Sequence, residues 1–375
     1  MKSKLSQEPL YCSNPSADLE PYLTQISQQI DKVFAGGAFI LGPEVSAFEC
    51  EFSDYINQPF GIGVANGTDA LELALRCCDL EPGDEVITVS HTASATPTAI
   101  LRAGGTPVFI DIEADTFCMN PDLIEPHLSS RTKAIVPVHI YGHPADMERI
   151  NAIAKKNKIA VIEDCAQAVG SVSAGKKIGA FGDFSCFSFY PTKNLATLGD
   201  AGFVCTNSER HFKRLMALRQ YGWRERFQSL ELGLNSRMDE LHAAILRVLL
   251  PHLDVQNEKR KKVAKRYQDG LSTLPVTLPI SRPLNDHVYH LFVVQVENRD
   301  QLISFLNARN IYPGIHYPKA AHQQAAFSKR VSEASLPVTE SLYERCVSLP
   351  IYASMSDTDV DRVIRSITDW FHSSF

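Results

Sequence analysis

The chain has 375 residues, 44% of them hydrophobic and 21% charged, with a formal net charge of -6. At that length there is apolar material for a large core and for a division into a large and a small domain. The acid excess and a sequence pI near 6.1 give no global basic field, so nucleic acid is not an expected partner. Nine cysteines are scattered with no C-x-x-C pair and no His/Cys cluster at zinc spacing. They read as buried reduced thiols, with neither a metal site nor a disulfide framework. The segment MKSKLSQEPLYCSNPSADLE lacks the apolar stretch of a signal peptide, and no run approaches the length of a membrane span. A cytoplasmic protein with no membrane partner is expected.

In chain order, the first forty residues read as an irregular arm and a helix, with FILGP as a turn before the next helix. From about residue 60 to 207, β-rich runs alternate with helical patterns: GIGVAN, DEVITV, PVFIDI, KAIVPVHI, KIAVIEDC, FSCFSFY and GFVCTN. That alternation predicts a largely parallel α/β sheet, and runs apolar almost throughout predict helices on both of its faces. ALELALRCC puts Ala70, Leu71, Ala74, Leu75 and Cys78 on one helical stripe. A long helical pattern begins near Met238, with Pro251 placed to kink or break it and Gly270 near its end. Beyond it HLFVVQV, RDQLISFLNARN, IYPGIHYPK and DTDVDRVIRSITDWF read as a smaller α+β unit. The expected division is 1–255 for the large α/β domain with its N-terminal arm and 256–375 for the small one.

Three segments can carry chemistry. SFYPTKNL follows a strand and puts Ser188, Tyr190 and Lys193 beyond its C-terminal end, where open α/β sheets bind ligands. A lone loop lysine is usually a solvated charge, but a partly desolvated one loses its proton readily and attacks carbonyl carbon. VIEDCAQA ends a buried strand in Glu163 and Asp164, with Gln167 one turn later. This is either an ordinary strand end or a carboxylate, Asp164, set to keep a pyridine nitrogen protonated, with Gln167 at the ring's hydroxyl side. VANGTDALELAL runs from a strand through Asn66, Gly67 and Thr68 into a helix, which makes either a tight capped turn or a phosphate seat, with the Ser188 hydroxyl as a further donor.

Phosphate seat, loop, acidic strand end and Ser-x-x-x-x-Lys follow one another as in aspartate-aminotransferase-like enzymes of fold type I, which bind pyridoxal 5'-phosphate. More narrowly, the chain resembles the DegT/DnrJ/EryC1/StrS sugar aminotransferase family. FILGPEVSAFE, NGTDALELAL, PGDEVIT, GGTPVFIDI, VHIYGHPADM, IEDCAQA, FSFYPTKNL and GLNSRMDELHAAIL carry the likeness, which runs from about residue 35 to 355.

The resemblance implies that Lys193 holds the cofactor and moves the proton, that Asp164 pairs with the ring nitrogen, and that Gly67, Thr68 and Ser188 hold the phosphate. It implies a homodimer in which Asn235 of GLNSRMDE completes the partner's phosphate site; by its position Asn235 can equally cap the helix before Met238. Tyr190, His316 and Tyr317 match sugar contacts, with His322 and Arg226 as further candidates, although tyrosine and histidine also sit commonly at domain seams. Arg224 and Arg226 in YGWRERF suit a nucleotide diphosphate or are a solvated charge run. One departure stands out: SHTASAT has Ala93 where many relatives have a ring that stacks on the cofactor, leaving His91 as the substitute. The implied reaction takes an amine from L-glutamate to a keto group of a nucleotide-linked sugar, best matched to carbon three of a dTDP-3-keto-6-deoxyhexose. Carbon four of a UDP- or GDP-linked keto sugar, and a non-catalytic regulatory relative that binds the cofactor, are the alternatives.

Overall fold

The seven apolar runs pair into one sheet in the computed structural model, which describes residues 8–328 and 334–374. They form β1 (Phe60–Val64), β2 (Glu85–Val89), β3 (Thr106–Ile110), β4 (Thr132–Val136), β5 (Ala160–Asp164), β6 (Phe184–Ser188) and β7 (Gly202–Thr206). Their spatial order is β1-β7-β6-β5-β4-β2-β3. Neighbours are parallel except β7, which runs antiparallel to both β1 and β6. Ile62, Val86, Ile87, Ile135, Ile162, Phe187 and Val204 are fully buried, as strands covered on both faces require.

Helices supply the cover. α1 (Leu23–Gly36) and α2 (Pro43–Ile56) precede β1, and α3 (Gly67–Arg76) follows it, burying Ala70, Leu71, Ala74 and Leu75. Cys78 is only half-buried, and Leu73 and Glu72 are enclosed as well, so α3 is covered on more than the predicted stripe. Glu72 tolerates that burial because Arg76 and Arg102 pair with it at 2.8 Å and 2.7 Å. α4 (Ala95–Arg102) and α5 (Met147–Asn157) connect the middle strands, and α6 (Glu209–Leu218) follows β7. The long helical pattern divides at Pro251, as its missing N–H dictates. α7 (Glu240–Leu249) gives way to a 3-10 turn at Leu250–His252 and then to α8 (Leu253–Leu271).

A second core gathers Val263, Tyr267 and Leu271 of α8 with Phe292 and Val294 of β8 (Phe292–Gln295) and Val347 and Leu349 of β9 (Cys346–Leu349). β8 and β9 pair antiparallel, and Val360, Val363 and Ile367 of α9 (Asp357–Ser374) close the layer. Leu10, from the first segment described, belongs to this core: Leu10–Tyr11 pairs in parallel with Ile311–Tyr312. All nine cysteines are free, six of them buried, with Cys12 and Cys78 half-buried. Cys50 departs from the expected burial and is exposed on α2. Among the described residues, no helix is long and apolar enough to cross a membrane.

Candidate active site

A cavity of about 260 Å³ opens at the C-terminal ends of β5 and β6, and Gly67, Asp164, Ser188 and Lys193 all line it. The crossover order of the sheet explains why: β5 and β6 are parallel neighbours, so their carboxyl ends, Asp164 and Ser188, emerge side by side.

The floor is Asp164. Burial pushes its carboxyl above the usual range, opposed by a hydrogen bond from the Thr96 hydroxyl, a second from the Ala166 N–H, and the charge of Lys193. Thr96 Oγ1 donates to Oδ2 at 2.8 Å and Ala166 N to Oδ1 at 3.2 Å. Glu163 points elsewhere, as alternation along a strand requires. Fully buried, it accepts from the backbone N–H groups of Gly179, Phe181 and Gly182 at 2.9, 2.8 and 2.7 Å and makes a 3.2 Å contact with His139 Nε2. Ala145 N donates to His139 Nδ1 at 2.9 Å, which leaves the proton on Nε2 for Glu163. The cluster of His139, Glu163 and Cys165 is thereby a satisfied structural network that pins the segment before β6.

Lys193 stands on the wall, in a tight turn closed by its own N–H to Tyr190 O at 2.8 Å. The next residue anchors that turn: Asn194 Nδ2 donates to Asn257 Oδ1 at 2.8 Å and Val288 O at 3.1 Å, tying it to α8. Burial pushes the Lys193 amine down to about 8 against the pull of the Asp164 carboxylate. A lowered pKa, which leaves a minor but usable neutral fraction near neutrality, is the property a nucleophilic or proton-carrying lysine needs.

Opposite lies the start of α3. The Asn66 side chain caps the helix by accepting from Asp69 N at 2.8 Å, which leaves the first helical amides, Gly67 and Thr68, without partners in the helix. The backbone here is packed too tightly for side chains. A Cβ on Gly67 would lie 2.8 Å from Ser188 Cβ, and one on Gly202 would lie 2.3 Å from both the carbonyl carbon and the oxygen of Asn66. The result is a bare amide cradle beside the Ser188 hydroxyl, on the positive end of a helix, which fits a phosphate group. With an amine of lowered pKa and a buried carboxylate on the same cavity, the donor set fits pyridoxal phosphate.

Gln167 and Tyr190 line the cavity too. The Gln167 amide is engaged at both ends, accepting from Tyr141 N at 2.7 Å and donating to the Tyr317 hydroxyl at 2.9 Å. Tyr141 in turn donates its hydroxyl to the His316 carbonyl, and His316 Nδ1 lies 2.8 Å from Ser348 Oγ. Gln167, His316 and Tyr317 therefore form one clamp between the end of β5 and the segment leading to β9.

Several expected residues stand elsewhere. His91 does not line the cavity: it is fully buried, edge-on to Phe117, Tyr141 and Tyr343. Both its ring nitrogens lack partners, and desolvation pushes its pKa down to about 3. Packing of those three rings holds it away, and Ala93 lines the cavity instead. His322 is turned to Ser90 Oγ at 2.7 Å and Glu340 Oε1 at 3.2 Å, an internal tie away from the cavity wall. Arg226 is exposed on a hairpin of Trp223–Glu225 and Gln228–Ser229, with Arg224 beside it. Asn235 is exposed and is no helix cap, because α7 begins at Glu240 with Asp239 as its N-cap. Sequence reading missed Thr92, Thr96 and Gly202. The first two carried no signal beyond a threonine spacing of four, and Gly202 opens a strand where glycine is easily taken for filler.

The model of the DegT/DnrJ/EryC1/StrS aminotransferase family matches residues 23–368. The chain belongs to that family. It is an enzyme, an aminotransferase whose cofactor is pyridoxal 5'-phosphate. It is 44% identical over 92% of its length to the dTDP-3-amino-3,6-dideoxy-alpha-D-galactopyranose transaminase of Aneurinibacillus thermoaerophilus, covering 95% of that protein. It is 40% identical over 95% of its length to the UDP-N-acetyl-3-dehydro-alpha-D-glucosamine 3-aminotransferase of Acidithiobacillus ferrooxidans, covering 96% of it. Among solved structures, DesV of S. venezuelae superposes with a TM-score of 0.94 at 40% identity, covering 97% of this chain and 98% of that one.

Proposed function

We propose that this aminotransferase moves an amine from L-glutamate to the keto group at carbon three of a dTDP-linked 3-keto-6-deoxyhexose. The observation that carries the reading is the convergence of Lys193, Asp164 and the Gly67 amide cradle on one cavity whose outer rim, at Tyr190, is half exposed. Similarity to a dTDP-linked 3-amino sugar transaminase supports the carbon and the nucleotide. A UDP-linked sugar aminated at the same carbon is the second reading, favoured by the likeness to the Acidithiobacillus ferrooxidans enzyme.

Bound pyridoxal phosphate supplies an electrophilic carbon for the amine and a ring that accepts electrons when a carbon–hydrogen bond breaks. The chain's own residues do the rest. Gly67, Thr68 and Ser188 would hold the phosphate by N–H and O–H donation, and Asp164 would hold a positive ring nitrogen. Lys193 Nζ, whose pKa burial lowers to about 8, loses its proton more readily than a solvated lysine and takes and returns a proton. Gln167 braces the site through Tyr141 and Tyr317. Tyr190 faces the incoming sugar. Arg224 and Arg226 offer guanidinium groups to a diphosphate.

The same reading makes the active unit a homodimer. Asn235 is exposed on the single chain, and Phe227, Leu230 and Leu232 of the neighbouring segment are 73%, 70% and 88% exposed, an apolar surface suited to a second copy. Its Asn235 would then serve the partner's phosphate site.

The amine-loaded enzyme, offered keto sugars carrying dTDP, UDP or GDP with the ketone at carbon three or four, is expected to yield amino sugar by mass spectrometry from the dTDP 3-ketone. Product from a carbon-four ketone alone would overturn the assignment of the carbon; product from a UDP-linked 3-ketone alone would move it to the second reading.

A further inference from the structure

Asp164 is 5% exposed, yet each of its oxygens has one short-range donor, from Thr96 and from Ala166. A threonine hydroxyl carries a single proton, and Thr96 commits it to Asp164 Oδ2. The Thr92 hydroxyl, 2.7 Å from Thr96 Oγ1, must therefore donate to Thr96. The two hydroxyls, 3% and 1% exposed by residue, form a chain with one direction, Thr92 to Thr96 to Asp164. Thr96 lies in the first turn of α4, which fixes its backbone beside the carboxylate.

We propose that Thr92 and Thr96 are positioning residues that keep Asp164 charged and aimed into the cavity, so that it can hold a protonated ring nitrogen. The inference rests on the reading of Asp164 given above. Hydrogen bonds to the charged form of a buried acid lower its pKa, and here they oppose the burial that raises it. The charge of Lys193 pulls in the same direction, and the Ala166 N–H supplies the second hydrogen bond. Tyr317, pushed up to about 12 by burial, and the thiols Cys165 and Cys186, pushed far up by it, stay neutral. Thr92 lies on the loop before α4 and Thr96 within its first turn, with Ala93, which lines the cavity, between them.

The test titrates pyridoxal phosphate into the wild type, Thr96→Val, Thr96→Ser and Thr92→Val across pH, following the visible band of lysine-bound cofactor. Binding by the wild type checks the site itself, separately from the inference. Thr96→Val is expected to bind at least about 10-fold more weakly, the lower end of the worth of a hydrogen bond to a charged group. Because losing the donor raises the Asp164 pKa, binding should fail at a higher pH on the acid side than in the wild type. Thr96→Ser should restore affinity to within about 2-fold, since it keeps the hydroxyl, and Thr92→Val should weaken binding in the same direction by less. Unchanged affinity and acid limb in Thr96→Val, or no rescue by serine, would overturn the proposal. If Thr96→Val does not fold, an unmoved acid limb in Thr92→Val overturns it instead.

Discussion

Lys193→Ala is expected to lower transamination by roughly 10⁴-fold or more, the upper end of what one positioned proton-transfer group contributes. Two functions are lost together: covalent capture of the cofactor and movement of the proton at the substrate carbon. An added small primary amine should restore part of the rate, because it can carry the proton but is not held at the site. Lys193→Arg should not, since a guanidinium stays protonated at every accessible pH. Steady-state rates of amino-sugar formation measure all three outcomes. The pH dependence follows from the same residue. Burial lowers the Lys193 pKa to about 8 from 10.5, so the neutral amine gains as pH rises, and the rate of cofactor capture should climb through about 8 and level above it. A rate independent of pH across that range would contradict the assignment of Lys193.

Asp164→Asn is expected to reduce the rate by roughly 10²- to 10³-fold, the loss typical when one preorganised electrostatic partner is removed. Asparagine keeps the shape of the side chain but has one acceptor oxygen where Asp164 uses two, so the change removes the charge together with one of the hydrogen bonds from Thr96 and Ala166, 2.8 Å and 3.2 Å in the wild type. Cofactor affinity should fall while the thermal midpoint of the cofactor-free protein stays near that of the wild type or rises, because a buried carboxylate is replaced by a neutral group. A variant that binds cofactor weakly and is also broadly unstable would make Asp164 a structural residue.

What the sequence disclosed and what it hid divide along the range of the interactions. The seven strands were legible because each is a contiguous apolar run buried on both faces, and the break at Pro251 because proline removes a donor locally. Lys193, Asp164 and the Asn66–Gly67–Thr68 turn were legible because each motif is contained within a few residues. Thr96 was not, since its meaning lies in a carboxylate 68 residues away. Gly202 was hidden for the same reason: it serves to admit the Asn66 carbonyl from a neighbouring strand end. His91 was placed by sequence position next to the cofactor, but Phe117, Tyr141 and Tyr343, from three separate segments, enclose it. Leu10 likewise packs in the second core through Ile311, a pairing that no local pattern announces.

The most direct measurement is the absorbance spectrum of the purified protein with pyridoxal phosphate, before and after excess L-glutamate, beside Lys193→Ala. The account predicts a visible band of lysine-bound cofactor in the wild type that glutamate converts to the shorter-wavelength amine form, with neither the band nor that conversion in the variant. A wild type that forms no such band, or a Lys193→Ala variant that forms and converts it equally well, would contradict the central claim.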